Sequence, residues 1–148
     1  YSLKLSFREA VDGVEKEVSI DGKRRSVKVP AGISDGNRVR FNEFDLLIAV
    51  TPDPVFRREG QDIYVEKEIS YPLAVLGGTI EVPTLDGKVT LKVRKGTVHG
   101  TLVRLKGEGV VHQNSTNRGN LYVIYKIKSP EKVSSKAKKL LEELQKEL

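Results

Sequence analysis

Residues 27–41 and 91–105 are two versions of one pattern. The first reads Val-Lys-Val-Pro-Ala-Gly-Ile-Ser-Asp-Gly-Asn-Arg-Val-Arg-Phe, the second Leu-Lys-Val-Arg-Lys-Gly-Thr-Val-His-Gly-Thr-Leu-Val-Arg-Leu. Each passes from a short apolar/polar alternation through a Gly-x-x-x-Gly turn (Gly32 and Gly36, Gly96 and Gly100) into a second alternation (Val39 and Phe41, Val103 and Leu105). Alternation with period two marks a half-buried strand, and the glycines supply backbone angles that other residues resist. The pattern predicts a hairpin, used twice. A chain of 148 residues then divides more naturally into two small domains than one.

The rest of the chain extends the repeat. Leu3, Leu5 and Phe7 alternate with polar residues as a first strand, and Ala10-Val11-Asp12-Gly13 reads as a turn. Val14 to Ile20 and Lys23 to Pro30 are strands joined by Asp21-Gly22, a pair suited to a type I′ turn. Leu46 to Val50 is a continuous apolar strand. Thr51-Pro52-Asp53-Pro54 forbids helix and ladder alike and marks the boundary between halves. Beyond it Ile63, Val65, Ile69 and Tyr71 alternate, and Ala74-Val75-Leu76-Gly77 matches Ala10 to Gly13 at an offset of 64. Ile80 and Val82, a second Asp-Gly hairpin at Asp86-Gly87, Val89 to Val93, and a polar loop from Lys106 to Gly119 lead to a last strand, Leu121 to Ile127.

The tail changes period. Ala137, Leu140, Leu141, Leu144 and Leu148 recur at helical spacing behind Ser134 or Ser135 as cap. Lys136, Lys138 and Lys139 sit at its positive end and Glu142, Glu143 and Glu147 at its negative end, against the macrodipole. Such a helix is marginal alone. Its leucine stripe needs a partner, either its own domain or a second copy of the chain. The expected organisation is an all-β fold: two small β-sandwich-like domains at 1–54 and 55–130, then a helix within 131–148.

Little in the chain points to catalysis. No cysteine is present, which excludes disulfides and thiol chemistry in this chain and fits a reducing, cytoplasmic setting. No apolar run approaches the length of a membrane span, and Tyr1 opens directly on a strand pattern, without a leader. The missing initiator Met points to a fragment or a processed chain. His99 lies where the first repeat has Asp35, and so reads as a turn residue; His112 has no ligand-spaced neighbours. No nucleophile elbow, phosphate loop or dinucleotide fingerprint occurs. Neither enzyme activity, metal nor cofactor is expected. The net charge of +6 leaves room for nucleic acid or an acidic partner, although the aromatic residues are scattered in sequence.

With the repeats laid out, the chain resembles the carboxy-terminal substrate-binding region of the DnaJ family of J-domain co-chaperones. The resemblance rests on Val-Pro-Ala-Gly-Ile-Ser-Asp-Gly (29–36), Pro-Val-Phe-Arg-Arg-Glu-Gly-Gln-Asp-Ile-Tyr-Val (54–65) and Leu-Gly-Gly-Thr-Ile-Glu-Val-Pro-Thr-Leu-Asp-Gly (76–87). Lys-Gly-Glu-Gly-Val (106–110) and Arg-Gly-Asn-Leu-Tyr-Val (118–123) add to it. It implies two β-sandwich-like domains and a dimerising carboxy-terminal segment, here Leu140, Leu141, Leu144 and Leu148. The implied activity is to hold unfolded polypeptide and deliver it to a DnaK-type ATP-driven chaperone. The His-Pro-Asp tripeptide of the J-domain is absent, so this chain is expected to bind clients without stimulating ATP hydrolysis. The cysteine-rich zinc module of some members is replaced by Asp21-Gly22, and the loop after Phe41 is short.

Carried over by position, the resemblance places a client groove between the opening strands. Its floor would be Leu3, Leu5, Val18, Ile20 and Ile48, with Tyr1 at the rim and Lys16 and Lys23 or Arg24 at the edges. An exposed strand edge beside an apolar face suits an added extended peptide. The same residues would equally serve as plain domain core.

Overall fold

A computed structural model describes all 148 residues. The first half contains β1 (Ser2–Leu5), α1 (Phe7–Asp12), β2 (Val14–Ile20), β3 (Lys23–Val29), β4 (Arg38–Phe41) and β5 (Phe44–Val50). The second contains β6 (Arg57–Glu59), β7 (Asp62–Ile69), α2 (Tyr71–Leu76), β8 (Gly78–Thr84), β9 (Gly87–Val93), β10 (Leu102–Leu105) and β11 (Leu121–Ile127), and α3 (Ser135–Glu147) follows. Each half packs a larger sheet against a two-stranded one. The larger sheets run β1-β5-β4 and β10-β11-β7-β6, and the smaller ones pair β2 with β3 and β8 with β9. The opening strand pairs in parallel with the closing one in both halves, β1 with β5 and β7 with β11. The all-β class with a carboxy-terminal helix is therefore present as expected.

The glycine-centred unit is not a hairpin. β3 pairs with β2 and β4 with β5, so the Gly32–Gly36 loop carries the chain from the small sheet to the large one. The second copy does the same between β9 and β10. Each glycine in the loop has a bond to make: Gly32 N donates to Ala10 O (3.0 Å) and Gly36 N to Ile48 O (2.8 Å), while Gly96 N and Gly100 N donate to Val75 O and Tyr125 O (3.2 and 2.7 Å). At Gly32, where φ is +85°, a Cβ would lie 2.1 Å from Val111 O, so a loop of one half leans on the other.

Two further expectations are corrected. Phe7 and Tyr71 do not continue strands, and Ala10–Gly13 and Ala74–Gly77 are not simple turns; both stretches close short helices. Ser6 caps α1 in a reciprocal box with Glu9, and Ser70 caps α2 by accepting from Leu73 N. The capping serine, one residue before each apolar run, overrides the period-two pattern. Asp21-Gly22 forms the expected turn with both φ positive, at 52° and 76°. In the second half the two loop residues are Leu85 and Asp86 instead, neither with positive φ, and Asp86 is held by Arg118 at 2.8 Å.

Pro54 separates the sheets but not the hydrophobic interior. Phe7 and Val11 of α1 belong to the cluster formed by Phe56, Ile63, Val65, Val82, Leu121, Val123 and Tyr125 of the second half. The Phe7 and Phe56 rings stack at 6.2 Å. Arg58 ties the halves as well: its guanidinium donates to Gly32 O (2.8 Å), Ser34 Oγ (3.0 Å), Gln61 Oε1 (2.8 Å) and Ile33 O. These acceptors, and Gly60 O, which takes the Nε–H at 2.8 Å, are all uncharged, and burial lowers the Arg58 pKa. The first half keeps its own smaller cluster of Leu3, Leu5, Ala10, Ile20, Val27, Val29, Ile33, Leu46 and Ile48.

Candidate functional site

β1 has one neighbour in its sheet, β5, and β2 has one, β3. A side chain spans the gap between them: Lys16 Nζ on β2 reaches Lys4 O on β1 at 3.4 Å and Glu9 Oε1 of α1 at 3.0 Å. The Glu9 carboxylate is held below its ordinary pKa, first by the Ser6 backbone N–H and then by Lys16. The Asp21-Gly22 turn sets Ile20 opposite Lys23, Val18 opposite Arg25 and Lys16 opposite Val27, so these six share the face turned to the larger sheet.

The sequence-derived floor residues fall in two groups. Leu5, Ile20 and Ile48 are 1% exposed and Leu3 is 6% exposed, all within the first-half cluster. They are core, closed to an incoming side chain, because Val27, Val29 and Leu46 pack against them. Val18 alone of the five is half-buried. Tyr1 is exposed at the rim: its ring meets Phe44 edge-on at 5.3 Å, and its hydroxyl donates to Asp21 Oδ1 at 2.6 Å, which raises the Tyr1 pKa. Lys16 and Lys23 share the inner face with Val18. Arg24 does not; it lies on the outer face beside Glu17, at 3.7 Å. The residue missed is Arg25, which stands across from Val18 with a buried Nε that no acceptor meets. The Asp-Gly turn fixes that register and would have identified it.

The corresponding place in the second half is built differently. Lys67 stands where Leu3 does, Thr84 where Ile20 does, and Tyr125 where Ile48 does, while Val82, the counterpart of Val18, is wholly buried. The Tyr125 hydroxyl is enclosed without a partner, and burial raises its pKa.

α3 buries no residue, and Leu140, Leu141, Leu144 and Leu148 are all exposed. Its own domain does not cover the leucine stripe. Ser134 caps it, accepting from Ala137 N at 3.0 Å. No helix is long and apolar enough to cross a membrane, and no group of three or more His, Cys, Asp or Glu side chains converges on a point.

Residues 1–130 match the family model described as DnaJ C terminal domain. The chain belongs to that family. A chaperone protein DnaJ of Caldicellulosiruptor saccharolyticus is 41% identical over 132 residues, which covers 80% of this chain and 34% of that protein. The chaperone protein DnaJ of Methanothermobacter thermautotrophicus is 43% identical over 130 residues, 79% of this chain and 35% of its own length. That of Leptospira biflexa is 40% identical over 141 residues, 84% and 38%. The chain thus spans about a third of the curated relatives it matches. The family match ends at residue 130, before α3 begins.

Proposed function

We propose that this chain is the client-binding part of a cytoplasmic co-chaperone, and that it takes extended polypeptide at the free edges of β1 and β2. The observation that carries the reading is two strands bridged by Lys16, each hydrogen-bonded on one side only, beside a half-buried Val18 in a chain of this family. An added strand completes a ladder with its backbone, and alternate side chains supply selectivity. Because Leu5, Ile20 and Ile48 are packed away, the side-chain contacts available are Val18, the Tyr1 rim and the stems of Lys16, Lys23 and Arg25. Each buried client Leu or Phe contributes about 1.5–3 kcal/mol, set against the cost of ordering the client. One such edge then gives affinity on the order of micromolar.

Dimerisation through α3 would raise the effective concentration of a second edge. An antiparallel pair of α3 helices brings Lys136, Lys138 and Lys139 of each beside Glu142, Glu143 and Glu147 of the other, while the leucines meet. That pairing offsets charges that oppose the macrodipole in a lone helix. Captured clients would pass to a DnaK-type ATP-driven chaperone.

Val18→Asp, at a half-buried position, is expected to weaken binding of a labelled short apolar peptide at least about tenfold in fluorescence anisotropy, with little change between low and high salt. Undiminished peptide binding by that variant would contradict the proposed edge. Loss of binding in high salt alone would favour the other reading, a basic module for nucleic acid or an acidic partner. Removing residues 131–148 is expected to weaken holding of a long unfolded protein far more than binding of the short peptide. Equal losses would count against avidity.

A further inference from the structure

The outer face of the sheet β10-β11-β7-β6, opposite the core, is uncovered and apolar in its middle. Register places Arg57, Tyr64, Tyr122 and Arg104 in one row across all four strands. The Tyr64 and Tyr122 rings stack at 5.0 Å, and the Arg57 guanidinium lies over Tyr64 at 5.3 Å. The next row sets Leu102 beside Ile124 and Glu66. Leu102 is 53% exposed and Val55, at the rim, 50%. A cleft of about 490 Å³ opens beside the row, lined by Pro54, Val55, Tyr64, Ile124, Glu66 and Glu68 among others.

The fold does not demand this surface. On the same face of the first half, Leu47 keeps the place of Ile124, but Asp45 stands in place of Tyr122, Arg38 in place of Leu102, and Ser2 and Lys4 in place of Glu66 and Glu68. One exposed leucine amid polar residues therefore suffices for this architecture, and the added Leu102 and tyrosine pair need another reason.

Charge selects the occupant. Glu66 and Glu68 are exposed and take part in none of the four ion pairs of the chain, although Lys126 stands across from Glu68. Burial raises the Tyr64 pKa, and the carboxylates Glu59 and Asp62 add to the rise. Arg104 and Lys126 share the face, but the cleft itself is lined by Asp53, Glu66 and Glu68 against one cation, Arg57, so its aliphatic and aromatic floor sits among carboxylates that complement a cationic segment. We propose that this face is a second docking surface, for an extended polypeptide segment in which Lys or Arg alternates with apolar side chains. The apolar side chains lie on Ile124, Leu102 and Val55, and the cations meet Glu66 and Glu68. It would select against the chemistry of the first edge, where Lys16, Lys23 and Arg25 face the client.

The test uses the full chain and two labelled short peptides, one alternating Leu with Lys and one alternating Leu with Glu. The double variant Glu66→Lys, Glu68→Lys is expected to weaken the Leu-Lys peptide about tenfold and to strengthen the Leu-Glu peptide. Leu102→Ser, at an exposed position, is expected to weaken both at this face, so the proposal remains testable if the charge variant folds poorly. Leu-Lys affinity indifferent to both substitutions would overturn it. So would single-stranded RNA displacing the peptide and losing its own hold on Arg104→Glu, since the face would then belong to nucleic acid.

Discussion

The two halves share a plan and put their accessible apolar surface in different places. In the first, a hairpin with a half-buried Val18 flanks a free strand edge, and the outer sheet face is Ser2, Lys4, Arg38, Arg40 and Asp45 around Leu47 and Ala49. In the second, the same inner position is sealed by Val82 and occupied by Lys67, Thr84 and Tyr125, while Tyr64, Tyr122, Ile124 and Leu102 line the outer face. Duplication preserved the ladders and the glycine loops. It did not preserve which side chains line each face of the sheet. Equal backbone geometry therefore does not imply an equal site, because the site depends on a few side chains that the ladder leaves free to vary.

The largest effect that could break this contrast concerns whether the halves are separate at all. Phe56→Ala removes a ring stacked on Phe7 across the junction and is expected to cost about 3–5 kcal/mol. Thermal unfolding should remain one transition at lower temperature, since the interior is shared. Two resolved transitions in the unmutated chain would show that the halves are independent units.

A smaller effect sharpens the inner-site difference. Tyr125→Phe deletes a buried hydroxyl that no group satisfies and is expected to stabilise by about 1 kcal/mol in denaturant unfolding. Destabilisation instead would mean that the hydroxyl has a partner and that the second inner site is less closed than described.

The smallest effect is acid-linked and confined to the first half. Glu9 bridges Ser6 and Lys16 beside the strand edge, whereas its counterpart in α2 is Leu73. Its folded pKa lies below the ordinary glutamate value, so its contribution is present above that ordinary value and is lost as pH falls through the lower folded one. Glu9→Gln should therefore narrow the difference between denaturant midpoints measured near neutrality and in acid. An unchanged difference would remove Glu9 from the account.

Much of this was legible in the sequence, and the losses have physical reasons. The Asp21-Gly22 turn, the repeat and the capped leucine helix follow from residues with strong local preferences. Even His99 behaved as its alignment with Asp35 required: its Nδ1 accepts from Ile127 N at 2.9 Å, as Asp35 Oδ1 accepts from Val50 N at 2.8 Å. The Gly-x-x-x-Gly stretch misled because the alternation on either side of it is equally compatible with strands in one sheet or two. Phe7 and Tyr71 misled because a single capping serine outweighs a period-two pattern in so short a stretch. The floor of the groove could not be told from core, since both call for Leu and Ile on one face of a strand. The tyrosine pair was invisible because Tyr64 and Tyr122 meet only through parallel pairing of strands remote in sequence.

Amide hydrogen exchange with and without a saturating apolar peptide tests the central contrast most directly. The account predicts slower exchange along Val14–Ile20, with Gly78–Thr84 unchanged. Equal slowing in both strands, or none in the first, would contradict it.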